Sequence, residues 1–365
     1  MTQKENTLGR AARIVCLCLV CALLGGIVGY LASGIGRKEL DRRLTEVETA
    51  LSAAAEEERA LTGAEIYELA QAQAVGVQTD RMTTNLFGVS TPDAVSGTGF
   101  VLREDGYILT NYHIVEKAIL QDARLSVLFS DGDRLPAEVV GYEASLDLAV
   151  LKIDRTGLRA VSPGDSGALR VGDRVYAEGN HLGELAFSQS SGSVSALDRV
   201  ITASIDGEVV PLRVFQLDAA VNSGSSGGPV YNERGEVVGV VTAKYTAGGV
   251  EGLGFAIPIN DAMRAAEELI LDGRIANMPD LGARLGDGDG KERGVLLDLV
   301  EEDGAADRAG LRAGDAVTAV DGRSVSVRSE LEAVLKTYRA GEAAQLTVRR
   351  GNDTMKVTVL FDRAP

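Results

Sequence analysis

The chain has 365 residues, a net charge of −16, 43 glycines, eight prolines and no tryptophan. That length allows two compact domains with extensions, and the glycines point to turn-rich structure. The acidic balance, with no long Lys/Arg run beyond the N-terminus, argues against sequence-independent binding of nucleic acid.

Taken in chain order, the first feature is an uncharged apolar run from Ile14 to Gly36. It is long enough to span a bilayer as a helix. Arg10 and Arg13 precede it, as a cytoplasmic N-terminus requires, although "RKELDRR" makes the far flank basic too. The reading is a single-pass signal anchor over 14–36 behind a cytoplasmic tail of 1–13, with a cleaved signal peptide as its rival. All three cysteines, Cys16, Cys18 and Cys21, lie in this run. The body therefore has no disulfide, thiolate ligand or cysteine nucleophile, and its redox compartment stays open. Residues 37–64 follow as a polar stalk or linker. Within them, "ELDRRLTEVETALSAAAEEERA" places Leu40, Leu44, Val47 and Leu51 at helical spacing.

From Val75 the pattern changes to short apolar segments cut by turn signals. "SGTGFVLREDGYILTN" reads as strand, Asp105-Gly106 turn, strand, and "RLSVLFSDGDRLPAEVVG" as a hairpin about Asp131-Gly132. "DLAVLKI", "RVYAEG", "SSGSVSAL", "RVFQLDA", "GPVYN", "EVVGVVTA" and "LGFAI" add further strands. Many short strands with glycine-rich turns predict a mainly β fold, either barrel or sandwich. "NDAMRAAEELILDG" then predicts a helix with Asn260 as N-cap and Gly273 as its stop. A Gly/Asp-rich stretch at 279–293 marks the start of a second, smaller α+β unit of about 85 residues with mixed strands and helices.

Three polar residues carry the chemistry. His113 follows a predicted strand in "ILTNYHIVEKA", Asp147 opens "DLAVLKI", and Ser226 sits among glycines in "VNSGSSGGPV". A serine hydroxyl needs a base to take its proton. Imidazole supplies one near neutral pH, and a buried carboxylate fixes its tautomer. Glycines beside Ser226 permit tight geometry and converging amide donors. Spacing alone does not bring the three together, and each taken singly reads as structural.

In order along the chain, "SGTGFVL", "TNYHIV", "DLAVLKI", "AEGN", "DAAVNSGSSGGPV" and "GLGFAIP" resemble the HtrA/Deg family of trypsin-like serine proteases with a C-terminal PDZ domain. The resemblance covers Glu65 to the C-terminus. It implies a double β-barrel protease domain over 65–276 and a PDZ domain over 277–365. It also implies His113 as general base, Asp147 as its orienter, Ser226 as nucleophile, and the Gly224 and Ser226 amides as oxyanion hole. The order His, Asp, Ser is the trypsin-like one. No metal or organic cofactor is implied. Ala220, six residues before Ser226, falls in the pocket for the residue before the cut and offers no anion to Lys or Arg, so small or medium apolar side chains are expected there. Asp218 is the nearest carboxylate. "PDLGARL" resembles a carboxylate-binding loop, with amides from Leu281, Gly282 and Ala283.

The sequence departs from the family at Ser225 (usually Asn), Ser223 (usually Pro), Glu178 (usually apolar), Asp280 (usually aromatic or aliphatic) and Ala283 (usually larger). A buried Glu178 needs a partner or a proton. His181, the other histidine, reads as a loop residue. The expected protein is a membrane-anchored extracytoplasmic serine endopeptidase acting in quality control on misfolded or envelope proteins. It is expected as a homotrimer, with C-terminal peptides bound at the PDZ domain. Two alternatives stay open: a silent or weakly active scaffold binding unfolded chains or C-terminal tails, and a dedicated protease for one signalling protein.

Overall fold

A computed structural model of the protein describes residues 18–27, 29, 59–84, 90–180, 187–205, 207–222, 224–242, 253–286 and 294–364. The chain divides into two units, Met1–Ala60 and Leu61–Pro365. In the first unit the described residues 18–27 are helical. No helix among the described residues is long and apolar enough to cross a membrane. This corrects the expectation of a single-pass anchor over 14–36. The expected stalk helix lies outside the described residues, apart from its last positions at 59–60.

The second unit is mainly β. Strands β1 (Ala74–Thr84), β2 (Ser90–Arg103), β3 (Tyr107–Thr110), β4 (Arg124–Leu128), β5 (Arg134–Glu143) and β6 (Leu148–Ile153) close into a barrel in the order β1-β2-β3-β6-β5-β4. Strands β7 (Arg174–Gly179), β8 (Ser188–Ile205), β9 (Glu208–Leu217), β10 (Pro229–Asn232), β11 (Val237–Val241) and β12 (Gly254–Pro258) close a second, ordered β10-β11-β12-β9-β8-β7. All pairings within both are antiparallel, as expected of short strands joined by tight turns. The predicted turn at Asp105-Gly106 is present, with Gly106 at φ +100, where a Cβ would strike the Ile153 carbonyl.

The strands nearest the joint are buried on both faces, which explains their near-continuous apolar runs. Side chains alternate along a strand. Val101, Ile108, Ala149 and Leu151 fill the first barrel, while their neighbours Phe100, Leu109, Leu148 and Val150 pack between the barrels. In the second barrel Val175, Ala177 and Val230 point inward, and Tyr176 and Tyr231 point into the joint. By the same alternation Glu178 follows Tyr176 into the joint.

Helix α1 (Gly63–Gln73) starts at a capping box between Thr62 and Glu65 and buries Ile66 and Ala70 against that joint. Helix α2 (Tyr112–Gln121) follows β3 directly. Helix α3 (Ile259–Asp272) ends at Gly273, φ +71, as predicted. Its N-cap is Pro258, not Asn260. Asn260 is used instead against the 165–166 turn: its amide group meets Asp165 Oδ1 at 2.8 Å and accepts from Ser166 N at 3.0 Å. Ser166 Oγ caps the Asn260 N–H in return, at 3.1 Å.

The smaller C-terminal α+β region has strands β13 (Pro279–Asp280), β14 (Ala283–Leu285), β15 (Val295–Val300), β16 (Ala316–Val320), β17 (Arg323–Ser324), β18 (Ala343–Arg350), β19 (Asp353–Leu360) and β20 (Asp362–Arg363). Its main sheet runs β14-β15-β16-β18-β19, with β17 on β16 and β13 paired to β20. Helices α4 (Ala305–Arg308) and α5 (Arg328–Leu335) cover a separate core centred on Leu297, Val317, Leu331 and Leu346. This region is fastened to α3 by buried or half-buried ion pairs, Arg339 Nε to Glu268 at 2.6 Å and Arg264 to Glu342 at 2.6 Å.

Candidate active site

The site lies at the joint because each barrel delivers one part of it. The first barrel brings His113 and Asp147. Residues 144–146 form one 3-10 turn after β5, and Asp147 ends it in the left-handed region at φ 54. Aspartate tolerates that conformation better than most residues. The Asp147 N–H donates to the Ala144 carbonyl at 3.1 Å, and the Asp147 carbonyl accepts from Asn111 Nδ2 at 2.9 Å. Asn111 is the N-cap of α2 yet makes no side-chain cap bond, its amide being committed to Asp147. Tyr112 stacks on Tyr142, ring centroids 5.1 Å apart, and fixes the start of the helix that carries His113.

The Asp147 carboxylate is buried and accepts from three donors. His113 Nδ1 lies 2.9 Å from both oxygens, the His113 backbone N–H 3.1 Å from Oδ1, and Thr242 Oγ1 3.3 Å from Oδ2. A carboxylate can only accept, so Nδ1 carries the proton and Nε2 keeps its lone pair. The backbone bond holds the start of α2 against the same carboxylate that the imidazole meets.

The second barrel brings the serine loop. Ser225 and Ser226 are buried. Gly224 and Gly227 have φ of +99 and +82, which a side chain would strain. The Ser225, Gly227 and Gly228 amides donate to the carbonyls of Asn222 (2.9 Å), Val241 (2.8 Å) and Ser225 (2.9 Å). These bonds set the path of the backbone that holds the expected oxyanion donors, Gly224 and Ser226. Ser225 is tightly seated, since a Cβ on Gly179 would fall 2.6 Å from its Oγ. Its Oγ lies 3.5 Å from the Asn222 N–H, so the usual asparagine is replaced by a smaller group facing inward. Ser223 and His181 lie outside the described residues.

Thr98 ties the two parts together, and sequence reasoning gave it no role. Its N–H donates to the Ser226 carbonyl at 2.8 Å, and its hydroxyl donates to the Gly224 carbonyl at 2.6 Å while accepting from Asn180 N at 2.8 Å. Thr110 Oγ1 donates to the Thr98 carbonyl at 2.7 Å. A strand of the first barrel thereby sets the peptide plane before Ser225 and the one after Ser226. The one available signal was a threonine between two glycines in "SGTGF".

Glu178 also lies behind this loop. It is buried, neither oxygen has a partner, and burial pushes its carboxyl up to about 8. Burial first and then Glu178 itself push the neighbouring Tyr231 phenol well above its ordinary value. The cross-strand neighbour of Glu178 is Gln189, whose Oε1 is likewise unpartnered. Two neighbouring strands thus each carry a polar side chain with buried, unpartnered oxygen.

Ala220, the expected pocket residue, is exposed, and the Asp218 carboxylate accepts from the Ser193 N–H at 2.6 Å. Among the described residues no cluster of His, Cys, Asp and Glu is arranged to hold a metal ion. In the C-terminal region Leu281 is a core residue whose carbonyl accepts from Ala306 N. Gly282 has φ +64, and Ala283 opens β14.

Residues 97–240 match the trypsin-like peptidase domain, and residues 279–360 match the PDZ domain. Over 272 residues the chain is 39% identical to a probable periplasmic serine endoprotease DegP-like of Halomonas elongata, covering 72% of this chain and 55% of that protein. It is 33% identical over 308 residues to the serine protease Do-like HtrA of Bacillus subtilis, covering 77% of this chain and 68% of the relative. The chain therefore spans about half the length of the DegP-like relatives it matches. Among solved structures, the HtrA-type protease AlgW with decapeptide is 26% identical with a TM-score of 0.61, covering 84% of this chain and 99% of that one. The serine endoprotease from Yersinia pestis gives 28% and 0.55, covering 84% and 100%. With its two barrels, its His113–Asp147 pair and its serine loop, the chain belongs to the HtrA/DegP-like family of trypsin-type serine proteases with a C-terminal PDZ domain.

Proposed function

We propose that the protein is an extracytoplasmic serine endopeptidase that cleaves unfolded or envelope proteins through an acyl-enzyme, with peptide binding at its PDZ domain. The observation that carries this reading is the buried Asp147 carboxylate, which holds both the backbone N–H and the Nδ1 of His113. His113 Nε2 takes the Ser226 proton as Oγ attacks the scissile carbonyl. The Gly224 and Ser226 amides stabilise the oxyanion. The imidazolium, stabilised by Asp147, then protonates the leaving amine and afterwards activates water to release the acyl group. Apart from the hydrolytic water, these roles fall to this chain's own side chains and amides. With Asp218 turned to Ser193 and Ala220 uncharged, cleavage after small or medium apolar residues is expected. The extracytoplasmic setting rests on relatives described as periplasmic.

The test compares the full chain with Ser226→Ala on an unfolded protein such as casein, with products read by mass spectrometry. The parent is expected to cut after Ala, Val and similar residues, and the variant to lose on the order of 10⁶-fold in kcat. Equal cleavage by the two would remove Ser226 as nucleophile.

A further inference from the structure

This inference rests on the peptide-binding part of that reading and concerns the chemistry of the ligand. Strand β14 is an edge of the PDZ sheet, bonded on one side to β15. An exposed edge beside a helix accepts an extended chain as an added strand. Between β14 and α5 lies a groove of about 450 Å³ whose apolar lining includes Met278, Leu281, Ala283, Leu285 and Leu335. Beyond the start of α5, a second crevice of about 270 Å³ shares Arg328 and Glu332 with this groove. Thr202, Val209 and Pro211 of the β8–β9 hairpin wall that crevice. An extended chain in the groove thus has a path onward over the protease domain.

At the other end the loop is already occupied. Asp280 Oδ1 accepts the Gly282 N–H at 2.8 Å, so an amide that would receive a ligand's terminal carboxylate is engaged by a carboxylate of the chain itself. No second partner holds Asp280 among the described residues. Its other oxygen is an acceptor that suits an N–H donor and repels an anion. Three cations, Arg284, Arg328 and Lys336, line the groove, and none of them is paired with Asp280. Arg328 is paired with Glu332 at 2.6 Å, and Lys336 Nζ lies 3.4 Å from the Ser145 carbonyl of the protease domain. Arg284, between Ala283 and Leu285, is exposed at the groove's edge.

We propose that this groove takes internal segments of extended polypeptide, with a peptide N–H facing Asp280, in preference to free C-terminal carboxylates. The ligand class is then an unfolded chain anywhere along its length, the same material the active site would cleave. An end-reading groove would be confined to one tail per substrate.

The test uses the full chain carrying Ser226→Ala, so that bound peptides are not consumed. Its probe is one fluorescent decapeptide rich in valine, threonine and alanine, made as the free acid and as the C-terminal carboxamide. Anisotropy gives both dissociation constants. The carboxamide is expected to bind about tenfold tighter. Adding Asp280→Asn removes the charge while keeping an acceptor for Gly282, and should bring the two forms toward parity. Adding Asp280→Ala frees the amide as well and should reverse the preference. Tighter binding of the acid to the Asp280 protein, or a ratio unmoved by both substitutions, overturns the proposal and leaves peptide binding intact. Binding of neither form overturns the proposal together with the peptide-binding reading.

Discussion

Asp147→Asn should lower kcat by about 10⁴ at neutral pH with little change in KM. Asparagine can still accept the His113 backbone N–H, so the 3-10 turn and the start of helix α2 should stay in place. What changes is the partner of Nδ1. An amide nitrogen facing it donates, so the imidazole proton moves to Nε2 and the lone pair no longer faces the serine. The site would keep its shape and lose its base. Steady-state kinetics on a peptide cut after an apolar residue measures the effect. A loss smaller than about tenfold would show that His113 does not depend on Asp147 for its tautomer. The opposite pattern, in which KM rises and kcat holds, would place Asp147 in substrate binding.

Replacing Glu178 by leucine should stabilise the protein in alkaline solution. The folded carboxyl stands at about 8 against an ordinary 4.5, and burial is the cause. The folded state therefore holds a proton that the unfolded chain releases. The stability this lends is fully present below 4.5, declines as the pH rises, and is lost once the folded group ionises near 8. At about 1.4 kcal/mol per unit, the whole decline is on the order of 5 kcal/mol, and the part between pH 6 and 8 about 3 kcal/mol. Denaturant unfolding of the two proteins at pH 6 and pH 9 separates this effect from all other titrations. The parent should lose about 3 kcal/mol more than Glu178→Leu over that interval. Parallel losses would mean that the carboxyl finds a partner or solvent in the folded protein. A Cβ on Gly228 would meet the Glu178 backbone carbonyl at 2.2 Å, so the strand that carries this carboxyl packs directly on the serine loop. Alkaline loss of activity should accompany loss of stability.

Much of the fold was legible because the strands obey simple rules. Alternation and the Asp105-Gly106 and Asp131-Gly132 turns placed β2 to β5, and Gly273 marked the end of α3. The closure of two barrels came from resemblance rather than from the pattern, since alternation does not distinguish a barrel from a sandwich. Asn260 misled because a residue of the right type at the start of a helix can serve a tertiary contact instead, and the 165–166 turn competes for it. The apolar run at 14–36 misled for a related reason. Length and lack of charge are satisfied by more than one kind of segment, and no helix among the described residues is long and apolar enough to cross a membrane.

The site shows the same division. His113, Asp147 and Ser226 stood out because their chemistry is distinctive and their motifs occur in order. The groups that position them did not. Thr98 looks like any strand threonine, and Asn111 like an ordinary helix cap. Their roles exist only once β2, β3 and the serine loop are in contact. Glu178 was visible as an oddity, but its two unpartnered oxygens and its place behind the loop required the register of β7 against β8 and β10. Asp280 was visible as a misplaced charge. That it engages the Gly282 amide, and so changes what the groove can accept, required the turn itself.

The most direct test of the central claim is covalent. A fluorophosphonate reacts with a serine only where a base activates the hydroxyl and amides accept the resulting oxyanion. The full chain should take up one equivalent, mass spectrometry should place it on the peptide containing Ser226, and His113→Ala should abolish it. An adduct on another serine, or none in protein that cleaves casein, would contradict the assignment of Ser226, His113 and Asp147 as the catalytic group.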